Sequence, residues 1–187
     1  MRFNDHSKIE GSHAFLSASS YHWVNYDEEK LRQRVRTSME AARGTRLHDF
    51  AKEAILLKLR QPRNNQTLNR YINDAIGYNM IPEQVLFYSY NAYGTADAIR
   101  FDEDTMKLMI HDLKTGVTPV SMTQLEVYTA FFCLEYGYKP ADLDVHLRIY
   151  QNDEIWHHTP ELENLVYIID KIVTSDRILN EEKLLLS

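Results

Sequence analysis

Leu143, Val145, Leu147 and Ile149 alternate without exception with Asp144, His146, Arg148 and Tyr150. A period of two held over eight residues is the pattern of a β-strand with one buried face, and a helix cannot satisfy it. The chain must therefore build a sheet, and the other segments can be judged by whether they extend it. Three strand patterns precede this one: Glu83 to Tyr90, Gly94 to Phe101 and Lys107 to Lys114. Between the last two, Phe101-Asp102-Glu103-Asp104-Thr105-Met106 is polar and acid-rich, which suits the turn of an antiparallel hairpin.

Helical patterns surround these strands. Ser17-Ala18-Ser19-Ser20 reads as an N-cap cluster ahead of Tyr21-His22-Trp23-Val24, and Asp27 to about Met39 is charged and helix-compatible. Arg43-Gly44-Thr45 is read as an interruption. After it Leu47, Phe50, Ala51, Ala54, Ile55 and Leu57 make an amphipathic stripe that ends before Pro62. Residues 62–80 read as a loop with a short helix at Leu68 to Ile76. Gly116 to Pro119 breaks the chain, and Thr123 to Tyr136 is helical. Beyond the alternating strand come a turn at Gln151-Asn152-Asp153-Glu154, a short return strand from Ile155 to His158, and a helix opened by Pro160. Residues 1–16 carry little periodicity and are expected to be partly disordered, leaving a core of about 17–175. This order predicts one α/β domain over 1–187, a mixed central sheet flanked by α-helices.

Composition narrows the classes. With 44% hydrophobic and 26% charged residues in 187, the chain reads as an ordinary soluble domain, without a secretory leader or an apolar run fit to span a membrane. The single cysteine, Cys133, fits a reducing cytoplasm and excludes a four-cysteine cluster. A net charge of -6 argues against non-specific coating of nucleic acid. Local charge is another matter, because Lys30, Arg32, Arg34, Arg36, Arg43 and Arg46 form a basic block that Lys58, Arg60, Arg63 and Arg70 continue. Taken alone, that block is read as a solvated helix face.

The chemistry concentrates at one strand end. In Ile110-His111-Asp112-Leu113-Lys114-Thr115-Gly116 the carboxylate of Asp112 and the ammonium of Lys114 are two residues apart and so share a face, with Leu108 and Ile110 behind them. Asp97, in Gly94-Thr95-Ala96-Asp97, supplies a second carboxylate from the neighbouring strand. Gln124 and Tyr128 are four apart and share a helix face. Two carboxylates can hold a hard divalent ion, and a lysine on the same face can orient or deprotonate an attacking water and stabilise developing negative charge. Each residue also has an ordinary reading: a surface His48, a turn-capping Asp97, an edge-strand ion pair, a helix edge with an aromatic anchor.

Taken together, Gly44-Thr45-Arg46-Leu47-His48, Gly94-Thr95-Ala96-Asp97, Asp112-Leu113-Lys114-Thr115-Gly116 and Gln124-Leu125-Glu126-Val127-Tyr128 resemble, in order and over roughly residues 15–150, the PD-(D/E)XK nuclease superfamily. The nearest branch is the RecB-like exonucleases, which include CRISPR-associated and many phage nucleases. The resemblance implies a restriction-endonuclease-like core and metal-dependent hydrolysis of DNA phosphodiester bonds, favouring an exonuclease acting at DNA ends in phage or mobile-element recombination, repair or processing. It implies one or two Mg²⁺ or Mn²⁺ ions held by His48, Asp97, Asp112 and the Leu113 backbone carbonyl. Lys114 would be the catalytic lysine, with Gln124 and Tyr128 bordering it, and Arg43, Arg46 and Thr115 would touch DNA. Glu83 stands where the family often has an acidic residue.

The chain departs from the family pattern in having Ala96 rather than proline before Asp97, and one cysteine rules out the iron-sulfur cluster of some relatives. No nucleotide-binding P-loop occurs, so unwinding would need a partner; the expected partners are DNA and a recombinase, helicase or single-strand-binding protein, and enclosing DNA would need either a homo-oligomer or such partners. Two other readings stay open: a nuclease-fold module that binds DNA or protein without cutting, and an endonuclease on branched or nicked DNA. An all-helical His-Asp phosphohydrolase conflicts with the strand at Met106 to Lys114. A Lys-Thr-Gly enzyme would need a Ser-x-x-Lys, which is absent. The adjacent His157-His158 is a poor metal pair and is read as surface.

Overall fold

The computed structural model describes residues 14–118 and 120–186, and the chain divides into two compact units, 1–42 and 43–187. The expected disorder of residues 1–16 lies, up to residue 13, outside the described residues. In the smaller unit a 3-10 helix spans Tyr21–Asn25. The serines before it do not cap it: Ser20 makes no side-chain cap, and its N–H donates to Ser17 Oγ at 3.3 Å, closing a local turn instead. Helix α1 (Glu28–Leu56) begins after Asp27, whose Oδ1 accepts the Lys30 N–H at 2.7 Å, an N-cap that satisfies one of the helix's free donors.

The break read at Arg43-Gly44-Thr45 does not exist, because α1 runs through it. The glycine has another use. A Cβ on Gly44 would lie 2.8 Å from Thr115 Oγ1, so a bare Cα lets the segment after Lys114 pack directly on the helix.

The larger unit is an α/β layer structure. After α2 (Thr67–Gly77) come β1 (Ile81–Ser89), β2 (Ala92–Asp102) and β3 (Lys107–Leu113), then α3 (Thr123–Tyr136), β4 (Asp144–Gln151), β5 (Glu154–His158) and α4 (Leu162–Leu185). The five strands form one mixed sheet in the order β1-β2-β3-β4-β5. All neighbours are antiparallel except β3 and β4, which are parallel and therefore need the crossover that α3 supplies. Asn152 and Asp153 both adopt positive φ, the geometry of a tight two-residue turn between β4 and β5.

Two apolar cores sandwich the sheet. On one face Ala51, Ala54 and Ile55 of α1 and Tyr71, Ile72 and Ala75 of α2 pack on Met109, Leu113 and Tyr150. On the other, Leu125, Phe131 and Phe132 of α3 pack on Leu108, Ile110, Val145, Leu147 and Ile149. The alternating strand that set the topology thus has one apolar face, as read. Its other face is not simply solvated: Tyr150 is fully buried under α2, and Arg148 pairs with Asp74 at 3.6 Å. No helix among the described residues is long and apolar enough to cross a membrane.

Candidate functional site

Alternation slips at one place in β2. Ala92, Ala96, Ile99 and Phe101 all belong with the α3-side core, whereas Ala98 belongs to the other. An even-to-odd switch of this kind requires a local irregularity, and it falls at Asp97. The β2–β3 ladder stops at the Ala98–His111 pair, and the next donor, the Leu113 N–H, is taken at 2.8 Å by Asp97 Oδ2 rather than by backbone. A side chain therefore joins the strands where their ladder ends.

The irregularity has a counterpart in β1. Pro82 pairs with Ala98 and Gln84 with Ala96, which leaves Glu83 facing Asp97 across the ladder. Glu83 has φ of 53°, in the left-handed region that costs a residue with a side chain about 1 kcal/mol or more. Strain of this kind persists only where surrounding structure enforces it. Here it accompanies a convergence: one ligand atom each from His48, Glu83 and Asp97 lies within 4.8 Å of the others, with His48 Nδ1 3.5 Å from Asp97 Oδ2.

Asp112 and Lys114 sit beside this trio. Asp112 is buried on the α3 face together with Leu108 and Ile110, and its Oδ1 accepts a hydrogen bond from Lys114 Nζ at 3.0 Å. Its Oδ2, 2.9 Å from the same nitrogen, has no hydrogen bond of proper geometry. Lys114 Nζ also donates at 2.8 Å to Gln124 Oε1, and Gln124 Nε2 donates at 2.9 Å to the Tyr128 hydroxyl. The i, i+4 pair at the start of α3 thus clamps the ammonium. Gly94 makes room for the clamp, since a Cβ there would meet Tyr128 Cε1 at 2.8 Å.

Electrostatics at the trio favour a cation. Asp97 is pushed up to about 6, first by burial and next by the negative charge of Asp112, against the opposing pull of the Leu113 N–H and His48. Tyr71, fully buried on α2, is raised well above its usual value by burial and then by Asp97, Asp112 and Glu83. An imidazole nitrogen with two carboxylates is a donor set suited to Mn²⁺ and acceptable to Mg²⁺. A divalent ion would supply the positive charge that these groups lack. The residues present fit such an ion.

The structure joins His48 and Asp97 and places Lys114, Gln124 and Tyr128 in one hydrogen-bonded chain. The group within ligand reach is completed by Glu83 rather than Asp112, which is engaged by Lys114. Leu113 enters through its N–H to Asp97. Thr115 lies against α1 at Gly44, while Arg43 and Arg46 are exposed on that helix. Period-two reasoning could not place Glu83, because a strand residue with positive φ no longer obeys it. Tyr71 had no sequence signal beyond its apolar helix face. Of the His157-His158 pair, His157 is exposed as read, while His158 is half-buried and lies 2.9 Å from the buried Glu126 carboxylate, which also accepts from Asn164 at 2.9 Å. Comparison of the chain with family models, curated proteins and solved structures gives no match.

Proposed function

We propose that this chain is a divalent-metal-dependent deoxyribonuclease with a restriction-endonuclease-like core, of the RecB-like exonuclease kind. The observation that carries the reading is the meeting of His48, Glu83 and Asp97 within 4.8 Å beside a lysine held by Asp112 and Gln124. Each part answers a need of phosphodiester hydrolysis. A bound Mg²⁺ or Mn²⁺ polarises the phosphoryl oxygen and lowers the pKa of a water.

The chain's own residues do the rest. His48, Glu83 and Asp97 would hold the ion, beside the Asp112 carboxylate that engages Lys114. The Lys114 ammonium, fixed at 2.8 Å from Gln124 and 3.0 Å from Asp112, offers donors to a phosphoryl oxygen or to the attacking water without reorganising. Tyr128 keeps Gln124 in the orientation that accepts from Lys114. Catalysis of this kind depends on position as much as on charge.

The test is degradation of linear and covalently closed DNA, single- and double-stranded, with Mg²⁺ or Mn²⁺. Wild type should degrade linear DNA, and Asp97→Ala and Lys114→Ala should each lose about 100-fold or more of the rate, the scale of removing a charge-stabilising group. Cutting of closed circles would select an endonuclease. Undiminished cleavage by both variants would refute the site.

A further inference from the structure

The strongest feature outside the candidate site is a basic cup on the same sheet face as α2. It has a volume of about 640 Å³ and is lined by Arg60, Arg63, Asn64, Arg70, Asn73 and Asp74, among others. We propose that this cup binds the phosphate backbone of DNA beyond the scissile bond, so that the strand is held at two places. The inference rests on the nuclease reading for its ligand, and its observations are independent of the metal trio.

Three observations carry it. The first is uncompensated charge in a protein of net charge -6. Arg60 and Arg63 are exposed and have no ion pair or hydrogen bond among the described residues. The one carboxylate in the lining, Asp74, is already engaged, accepting from the Tyr150 hydroxyl at 2.7 Å and lying 3.6 Å from Arg148. Arg70 uses one guanidinium nitrogen on the Asp153 carbonyl, at 3.0 Å, and keeps its other donors.

The second is rigidity. The segment carrying Arg60 and Arg63 has little regular structure, yet it is tied to α2 by reciprocal bonds: the Gln61 N–H donates to Asn73 Oδ1 at 2.9 Å and Asn73 Nδ2 returns to the Gln61 carbonyl at 3.0 Å. Asn69 Nδ2 donates to Asn64 Oδ1 and Gln66 Oε1, both at 3.0 Å. Arginines carried on a fixed frame lose less freedom on binding a phosphate than arginines on a free loop.

The third is continuity with the site. The loop after Lys114 is docked on the β4–β5 turn, with Gln151 Nε2 donating to the Gly116 carbonyl at 2.7 Å and to the Thr118 carbonyl at 2.8 Å. That turn in turn receives the start of α2, because Asp153 Oδ1 accepts from the Thr67 N–H at 2.7 Å and its carbonyl accepts from Arg70. Lys114 and the cup are therefore at the same end of the sheet. From β3, which leads into Lys114, across β4 to β5 is two strand spacings, on the order of 10 Å. Stacked DNA strand advances about 3.4 Å per nucleotide, so a few nucleotides bridge that gap.

Charge of this type announces itself in salt dependence, since each neutralised phosphate of duplex DNA releases counterions and contributes about 0.9 to the slope of log K against log salt. The experiment is fluorescence anisotropy with a labelled linear duplex over a KCl series, in EDTA so that nothing is cut. Arg60→Ala/Arg63→Ala should lower the slope by about 1.5 to 2 relative to wild type and weaken binding equally across sequences. Arg60→Lys/Arg63→Lys should keep the slope. Arg177→Ala, which removes an exposed arginine of α4 paired with Glu181, should leave it as in wild type. Both residues of the double variant are exposed, so its thermal unfolding should match wild type. An unchanged slope in the alanine variant, a fall matched by Arg177→Ala, or no DNA binding by wild type would each overturn the proposal. Cleavage is scored separately: a wild type that binds DNA through the cup and cuts none would sink the nuclease reading alone.

Discussion

Burial of His111 should cost the folded state stability as pH falls, for reasons its surroundings show. It is fully buried, next to Asp112 but on the opposite sheet face, and its Nδ1 lies 3.2 Å from the Tyr150 hydroxyl. That hydroxyl donates its proton to Asp74, at 2.7 Å, so its oxygen is left to accept and His111 must carry hydrogen on Nδ1. The other ring nitrogen, Nε2, is buried without a partner. Adding a proton there would place a charge beneath Tyr78 with nothing to receive it. Burial first, then Arg148 and His157, push the imidazole down from 6.5 to about 3.

The folded state therefore refuses a proton that the unfolded chain takes up below its pKa of 6.5. Stability is unaffected by His111 above that value and falls by about 1.36 kcal/mol per pH unit below it, until the folded pKa is reached near 3. Between about pH 7.5 and pH 5 the loss is about 2 kcal/mol. Asp97 acts in the opposite direction, because its folded pKa of about 6 is raised from 3.8 and favours the folded state as pH falls. A variant comparison cancels that contribution. His111→Gln keeps a donor for Tyr150 and does not titrate, and His111→Phe removes the orphaned nitrogen altogether. Urea unfolding at both pH values should show wild type losing about 2 kcal/mol more than either variant. Equal losses in all three proteins would mean that His111 is not the acid-sensitive group.

Mn²⁺ should stabilise the protein by mass action, by about 2.7 kcal/mol at a hundredfold excess over its dissociation constant, read as a rise in thermal midpoint. Glu83→Gln should weaken that response as strongly as Asp97→Asn; a full response in Glu83→Gln would remove Glu83 from the ligand set. Gly44→Ala should destabilise by about 1–3 kcal/mol through overpacking on Thr115, despite alanine's helix advantage of about 0.8–1.0 kcal/mol. In a Thr115→Ala background, where the obstructing Oγ1 is gone, the same change should become neutral or stabilising, and a double-mutant cycle without coupling would show that the close approach is not what Gly44 is for.

Everything that depends on local periodicity was legible before the fold was known. Strict alternation at 143–150 marked β4, the period of two put Asp112 and Lys114 on one face, and the four-residue spacing of Gln124 and Tyr128 put them on one side of α3. These are properties of a strand or helix by itself, so neighbouring layers do not alter them. Gly44 shows where that reasoning stops: a glycine's cost inside a helix is a local quantity, while its compensation, the approach of Thr115, comes from a residue 71 positions away. Ser20 failed as a cap because a competing turn with Ser17 was equally local. Tertiary structure alone decided the membership of the His48, Glu83 and Asp97 trio. The ladder between β2 and β3 ends at Ala98, alternation slips at Asp97, and Glu83 takes a positive φ to face it. Each departs from ideal strand geometry, and each occurs where β1, β2 and β3 meet rather than within one strand by itself. Sequence thus determined which side chains are available at the strand ends, and the fold decided which carboxylate meets His48 and which is left to hold Lys114.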